Sequence, residues 1–142
     1  MALDKKLIGR TFPSTTFTVD KEMIKRYCKA IEEFDPAFKE GETSPPTFAS
    51  CFLIPSMMGA MSELSNLIDP SLIARIVHGE QEYEFYRPIK PGTYALEGRI
   101  ADITEKMGRS GVLDILTLET TAKNEKGEAS VIGRATILIR RP

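Results

Sequence analysis

The stretch of residues 77–92, VHGEQEYEFYRPIKPG, decides the fold prediction because it describes a strand with two unlike faces and a sharp end. One face carries Tyr83 and Phe85 at alternate positions. The opposite face carries three carboxylates, those of Glu80, Glu82 and Glu84. Successive side chains of a strand point to opposite faces, so this pattern predicts one buried and one solvated side. Pro88 and Pro91 then end the strand, since proline cannot donate to the hydrogen bonds of a sheet.

Three further stretches with alternating apolar residues follow this segment. They predict strands over residues 94–103, 112–122 and 129–139. Two glycine-containing turns separate them, at residues 108–111 and 124–127. Strands that are joined by such short turns pair side by side, so we expect an antiparallel meander.

Two helical segments are predicted ahead of the strands. Apolar residues recur every three or four positions over residues 20–34, which indicates an amphipathic helix with Asp20 as its N-cap. Residues 47–68 are apolar without a clean period. Pro55 lacks the backbone N–H of a helix interior, so we expect a short helix or loop before it and a helix over residues 56–66.

The order of these elements predicts an α+β fold of a single domain, residues 1–142, with a curved antiparallel sheet wrapped around a helix. Gly133 and Ala135 on the last strand leave space for a segment lying across the sheet. The simplest occupant of that space is the first helix, residues 20–34.

Composition narrows the classes of function. The chain has 19 basic and 20 acidic residues and a net charge of -1, which favours neither nucleic acid nor an anionic membrane surface as a partner. No segment has the roughly 20 apolar residues of a membrane span, and residues 1–10 lack the apolar run of a signal peptide. We therefore expect a soluble, cytoplasmic protein. Cys28 and Cys51 have neither metal-site nor disulfide-framework spacing, and we interpret them as reduced, half-buried side chains.

Four motifs resemble those of one superfamily in their residue types, their order along the chain and their spacing. They are Pro-Pro-Thr-Phe at 45–48, Val-His-Gly-Glu-Gln at 77–81, Tyr-Arg-Pro-Ile at 86–89 with Pro-Gly at 91–92, and the closing run 127–140. Together they resemble the hot-dog fold of the MaoC-like dehydratase and R-specific enoyl hydratase superfamily. The similar branch is the N-terminal dehydratase domain. It occurs in the non-catalytic subunit of mycobacterial (3R)-hydroxyacyl-ACP dehydratases and in the first half of hydratase 2.

The resemblance implies a hydration reaction, but this sequence lacks the residues that usually catalyse it. Hydratases of this superfamily add water to a 2-enoyl thioester with an Asp and a His from an Asp-x-Asn-Pro-x-His motif. The aligned segment here is residues 33–38, where Glu33 and Asp35 replace the first two motif residues and Phe38 occupies the histidine position. Phenylalanine cannot transfer a proton, and His78 aligns with no catalytic position. Glu33, Asp35 and His78 therefore remain only weak catalytic candidates.

The same branch implies an apolar channel for a long acyl chain, lined here by residues 48–67. The substrate-binding candidates are Pro46, Thr47, Phe48, Phe52, Met57, Met58, Met61, His78 and Gly79. The methionines can equally be core residues that fill gaps, and His78 can equally be bonded to backbone at the strand entry. The implied substrate is an acyl-CoA or acyl-ACP thioester, with no metal and no further cofactor.

Three functions are consistent with these residues. The leading hypothesis is a catalytically silent, substrate-accommodating subunit that forms a heterodimer with a MaoC-type subunit carrying the Asp and His, paired through sheet edges. The second is a homodimeric hydratase or acyl-CoA thioesterase that uses Glu33, Asp35 or His78 in an altered site. The third is a module that binds acyl thioesters without turnover. Acyl length and the type of carrier stay open.

Overall fold

The computed structural model describes residues 3–142, and five strands form a single antiparallel sheet. The strands are β1 (Thr15–Val19), β2 (Ile76–Phe85), β3 (Gly92–Gly108), β4 (Gly111–Lys123) and β5 (Ala129–Arg140). Their order across the sheet is β1-β3-β4-β5-β2, so β1 and β2 are the edge strands. The predicted α+β fold, a curved antiparallel sheet packed on a helix, is confirmed.

The meander of β3, β4 and β5 is also confirmed, and β3 is longer than predicted. Pairing of β3 with β4 continues to Gly108 and Gly111, because a turn of only two residues joins them. Gly111 has φ of 122° and Gly127, in the following hairpin, has φ of 77°. Both lie in the region that favours glycine, as expected for turn positions.

The inner face of the sheet carries the core, as the alternation predicts. The fully or almost fully buried side chains there include Leu96, Ile100, Leu116, Leu118, Val131, Ile137 and Ile139. The prediction for β2 needs one correction: Tyr83 is half-buried, but Phe85 keeps 40% of its surface exposed. An edge strand has a neighbour on one side only, so its last residue is incompletely covered.

Within residues 3–142, four helices accompany the sheet: α1 (Lys21–Ala30), α2 (Pro36–Lys39), α3 (Ser50–Ser65) and α4 (Pro70–Ile73). Short 3-10 turns occupy Lys5–Leu7 and Pro46–Ala49. No helix among residues 3–142 combines the length and apolar character that crossing a membrane requires.

Helix α3, not the first helix, lies closest to the small residues of β5, which corrects the prediction. A Cβ on Gly133 would lie 3.2 Å from Leu53 Cδ1 of this helix. The prediction that the helix begins only after Pro55 is also wrong, since α3 continues across it. A proline inside a helix costs about 3 kcal/mol. Five buried residues of α3 offset this cost, because burying a large apolar side chain contributes about 1.5–3 kcal/mol.

Helix α1 begins as predicted and ends earlier. The Asp20 carboxylate accepts a hydrogen bond from the Met23 amide at 2.8 Å, which confirms the N-cap. The helix ends at Ala30 rather than continuing to Phe34. Glu32 adopts φ of 57°, a left-handed conformation that turns the chain away from the helix axis. Phe34 consequently lies outside the apolar stripe, with 70% of its surface exposed.

Candidate functional site

The two carboxylates of the segment that aligns with the catalytic motif are both bonded to backbone. The Asp35 carboxylate caps α2 by accepting a hydrogen bond from the Ala37 amide at 2.8 Å. The Glu33 carboxylate in turn accepts one from the Asp35 amide at 2.9 Å. Acidic residues commonly cap the start of a helix in this way, because the free backbone N–H groups there favour negative charge.

Phe38, at the position where the resemblance requires histidine, packs against the core. Its partly buried ring contacts the cluster that includes Val19 and Ile24. The Cys28 thiol donates a weak hydrogen bond to the Phe38 carbonyl, with sulfur and oxygen 3.8 Å apart. Burial, and secondarily Glu33, raise the pKa of this thiol, so Cys28 is held in its unreactive protonated form. The position of the motif histidine is thus occupied by a side chain that packs on the core and cannot transfer a proton.

The two cysteines differ in their surroundings. Both were expected to be half-buried, but Cys28 is buried in the core and Cys51 on α3 is exposed.

His78 lies on the edge strand β2, apart from the α2 segment in the fold. Its Nε2 is 3.1 Å from Oε1 of Gln81, so its partner is a side chain rather than backbone. The register shifts between His78 and Glu80, which makes Gly79 the extra residue of a β-bulge. A Cβ on Gly79 would lie 3.3 Å from the Thr136 carbonyl oxygen, so this position suits glycine.

The structure does not join the three weak catalytic candidates into one group. Among residues 3–142, no hydrogen bond or ion pair connects His78 with Glu33 or Asp35. The same part of the chain contains no cluster of three or more His, Cys, Asp or Glu residues that could hold a metal ion.

The start of α3 is fixed by two hydroxyl contacts that the sequence pattern does not indicate. Ser50 Oγ and Tyr83 Oη lie 2.6 Å apart and connect α3 to β2. Tyr27 donates from its hydroxyl to Thr47 Oγ1 at 2.7 Å, which connects the preceding turn to α1. These pairs are 33 and 20 residues apart in the chain, and no local motif relates them.

An apolar groove of about 350 Å³ runs between α3 and the β1 side of the sheet. We call it the α3–β1 groove. Its walls are Phe12, Pro13, Thr15, Thr16, Phe17, Phe52, Pro55, Ser56, Gly59, Ala60, Glu63, Leu96 and Gly98. Small residues open the space: a Cβ on Gly59 would meet no heavy atom within 4 Å. This volume falls within the range of small-molecule pockets.

The structure distributes the predicted substrate-binding residues over several environments. Phe52 lines the α3–β1 groove, and Phe48 is buried beside it with its ring centroid 6.2 Å from that of Phe52. The methionines do not line the groove, since Met57 is buried and Met58 is 59% exposed, while Met61 is half-buried. Pro46 and Thr47 are exposed ahead of α3, and His78 and Gly79 are exposed on β2.

The α3 wall of the groove, from Phe52 to Glu63, lies within the predicted lining of residues 48–67, whereas sequence reasoning did not indicate the walls from residues 12–17, Leu96 and Gly98. The residues that create the space are small, notably Gly59, Ala60 and Gly98, and small residues show up in a sequence only as gaps in an apolar pattern. The adjacent Gly59 and Ala60 within an apolar helix were the available signal.

Comparison with known proteins gives a consistent family. The model of the family "FAS1-like, dehydratase domain region" matches residues 6–132. A UPF0336 protein of Streptomyces coelicolor is 29% identical over 129 residues, covering 81% of this chain and 82% of that protein. Peroxisomal enoyl-CoA hydratase 2 of Arabidopsis thaliana is 35% identical over 98 residues, which cover 67% of this chain and 29% of the hydratase.

A solved structure shows the same fold. The HadBC (3R-hydroxyacyl-ACP dehydratase) complex of Mycobacterium tuberculosis contains a chain that superposes with a TM-score of 0.72 at 19% identity. The match covers 97% of this chain and 99% of that chain. With the antiparallel sheet packed on α3 and a family match over most of its length, this chain belongs to the FAS1-like dehydratase domain region family, within the MaoC-like hot-dog dehydratases.

Proposed function

We propose that this protein is the catalytically silent, substrate-accommodating subunit of an R-specific enoyl-thioester hydratase or 3-hydroxyacyl-thioester dehydratase. A separate MaoC-type subunit would supply the Asp and the His. The observation that carries the proposal is the state of the motif segment: Phe38 packs on the core, and the carboxylates of Glu33 and Asp35 accept backbone hydrogen bonds.

The chemistry explains why this segment matters. Adding water to an enoyl thioester requires a base for the water, an acid for the α-carbon and hydrogen-bond donors for the enolate oxygen. A phenyl ring can neither accept nor donate a proton. The remaining imidazole, that of His78, bonds to Gln81 on another element and has no carboxylate partner among the described residues. Proton transfer would therefore fall to the partner subunit.

The α3–β1 groove supports the substrate-accommodating part of the proposal. Its walls are mainly apolar and include Phe17, Phe52 and Leu96, and Gly59 leaves open space beside them. Apolar surface of this kind favours an aliphatic chain, since each buried methylene contributes about 0.8 kcal/mol. The carrier, CoA or an acyl carrier protein, would remain outside the groove.

The free edge of β2 supports the need for a partner. This strand pairs with β5 on one side only, and Val77, His78 and Phe85 are exposed along it. An open edge is a template for pairing with a second sheet. The similar HadBC structure is a complex of a 3R-hydroxyacyl-ACP dehydratase. By analogy, we propose a catalytic hot-dog subunit as the partner of this chain.

The first experiment tests catalytic silence. The purified chain is assayed for hydration of crotonyl-CoA, alone and then together with the protein that co-purifies with it from its native organism. We expect no turnover above background from the chain alone and turnover from the complex. Turnover by the chain alone, lost in Glu33→Gln, Asp35→Asn or His78→Ala, would instead establish an enzyme with an altered site. Tight binding without product under both conditions would favour a binding module.

The second experiment tests the groove. Gly59→Phe places a ring in the open space, and we expect the complex to lose about tenfold or more in kcat/KM for a ten-carbon enoyl thioester, because several methylenes lose their contacts. Activity on crotonyl-CoA should remain. Met58→Phe is the matched control, since Met58 neighbours Gly59 on α3 yet points to solvent. Equal activity of both variants on the long substrate would refute the groove as the acyl site.

A further inference from the structure

A second cavity, of about 350 Å³, lies on the outer face of the sheet, on the side opposite α3. Its lining consists of Ala74, Arg75, Val77, Leu113, Leu138 and Arg140. Residues of β4 and β5 at alternate positions, such as Leu116 and Ile137, point to the inner core, so Leu113 and Leu138 point outward. We call this space the outer-face cavity. Of its lining, only Val77 belongs to the β2 edge on which the proposed function draws.

Two arginines flank this cavity, and neither has an acidic partner in the described part of the chain. The Arg140 amide donates a hydrogen bond to the Arg75 carbonyl at 3.3 Å, which keeps the two residues adjacent. Four other arginines, Arg87, Arg99, Arg134 and Arg141, form ion pairs with carboxylates. Within residues 3–142 Arg75 and Arg140 form none, and no Asp or Glu lines the cavity. The cavity therefore has two uncompensated positive charges.

The carboxylates next to Leu113 and its register partner Lys106 are already engaged. Asp114 on β4 accepts two hydrogen bonds from Arg141, at 3.1 and 2.7 Å, and Glu105 on β3 also pairs with Arg141. Neither carboxylate is available to the guanidinium groups of Arg75 and Arg140. Both arginines are exposed, so an anion from solution can reach them.

The floor of the outer-face cavity is aliphatic. Val77 pairs in register with Leu138, and Leu113 pairs with Arg140. Val77 has 56% of its surface exposed, although it is a large apolar side chain. Exposed aliphatic surface next to paired positive charges favours a ligand that has both an apolar body and an anionic end.

We propose that the outer-face cavity binds an aliphatic carboxylate, with its chain on Val77, Leu113 and Leu138 and its carboxylate between Arg75 and Arg140. The guanidinium group is planar and presents N–H donors in a fork that matches the two oxygens of a carboxylate. The volume of about 350 Å³ is that of a small-molecule site rather than of an extended protein interface.

The test uses octanoate as the probe and methyl NMR of the full-length protein as the readout. We expect octanoate to shift the methyl signals of Val77, Leu113 and Leu138, and the Leu96 methyls to report any binding in the α3–β1 groove instead. Arg75→Gln and Arg140→Gln should each weaken binding about tenfold, because each removes charge-assisted hydrogen bonds. Arg109→Gln, in the exposed β3–β4 turn, is the matched control and should leave the affinity unchanged.

Two further probes separate the contributions of charge and chain. Octanol has the chain without the charge, and acetate has the charge without the chain, so both should bind at least tenfold more weakly than octanoate. Octanol binding as tightly as octanoate, or unchanged octanoate affinity in both arginine variants, would refute the proposal. Either result would leave the silent-subunit proposal intact, because that proposal depends on residues 33–38 and the α3–β1 groove.

Discussion

At the scale of single residues, Gly133 determines how closely α3 approaches the sheet. A Cβ at this position would lie 3.2 Å from Leu53 Cδ1 and 3.3 Å from Tyr83 Cε1. Neither neighbour can move aside easily, because Leu53 is buried and the Tyr83 hydroxyl is 2.6 Å from Ser50 Oγ. We expect Gly133→Val to lower the free energy of unfolding by about 1–3 kcal/mol, as overpacking of a core does, measured by urea denaturation.

Gly59 is the matched control for Gly133. It lies inside α3, and a Cβ there would meet no heavy atom within 4 Å. Gly59→Ala should therefore raise the free energy of unfolding by about 0.5–1 kcal/mol through helix propensity alone. Unchanged stability in Gly133→Val would mean that α3 and β5 are not in this close contact.

Single residues also show what the sequence could and could not predict about the site. Phe38 could be assigned from sequence, because the resemblance fixes its place relative to Pro36 within one short motif. The contact of Ser50 with Tyr83 could not, since it joins residues 33 apart and depends on how α3 crosses the sheet. The groove walls outside α3 were missed for the same reason: they come from separate elements and meet α3 only in the folded chain.

At the scale of secondary-structure elements, a chain of ion pairs crosses four strands on the outer face of the sheet. Arg99 on β3 is 2.9 Å from Glu119 on β4, which is 2.9 Å from Arg134 on β5. Arg134 also contacts Glu84 on β2 at 3.0 Å. These side chains occupy the solvated positions of the alternating pattern, so their charges can pair across strands without entering the core.

This chain of ion pairs makes the free energy of unfolding depend on pH. Burial acts to raise the pKa of Glu119, but hydrogen bonds from Arg99 and Arg134 outweigh it, and its pKa is lowered. Hydrogen bonds from Tyr86 and then Arg134 lower the pKa of Glu84. A carboxyl whose pKa is lower in the folded chain stabilises it above the unfolded pKa, about 4.3 for Glu, and this stabilisation is lost as pH falls through the folded value.

Unfolding in urea at pH 7 and at steps from pH 5.5 to 3.5 measures this effect. We expect the free energy of unfolding of the wild type to fall with acidification and that of Glu119→Gln to fall less, because the variant has one proton fewer to take up. Glu40→Gln, which removes an exposed carboxylate at the end of α2, should follow the wild-type curve. Parallel curves for wild type and Glu119→Gln would exclude Glu119 as a source of the pH dependence.

The elements differ in how well the sequence predicts them. The strands of the meander were predictable because alternation is a local signal that directly reflects which face is buried. The N-cap of α1 was predictable too, but the end of α1 and the start of α3 were not, because they depend on competing energies. The cost of Pro55 is overcome by burial of α3 against the sheet, and the left-handed conformation of Glu32 ends α1 before its apolar pattern ends.

At the scale of the whole molecule, the core consists of two apolar clusters that share α3. One cluster contains Phe52, whose ring stacks with those of Phe17 and Tyr94 at centroid distances of 5.4 and 5.9 Å. The other contains Leu64, which is fully buried. Strands β3 and β4 also run through both, since Leu96 and Ala122 belong to the first cluster and Ile100 and Leu118 to the second.

This shared framework predicts that damage to either cluster unfolds the whole chain. Phe52→Ala should lower the free energy of unfolding by about 3–5 kcal/mol and Leu64→Ala by about 2–5 kcal/mol, since each leaves a cavity in packed core. Each variant should still unfold in one transition, with calorimetric and van't Hoff enthalpies that agree. The reason is that β3 and β4 contribute to both clusters, so loss of packing in one cluster also disrupts the strands that support the other. A second transition in either variant would show that the clusters fold independently and that α3 does not couple them.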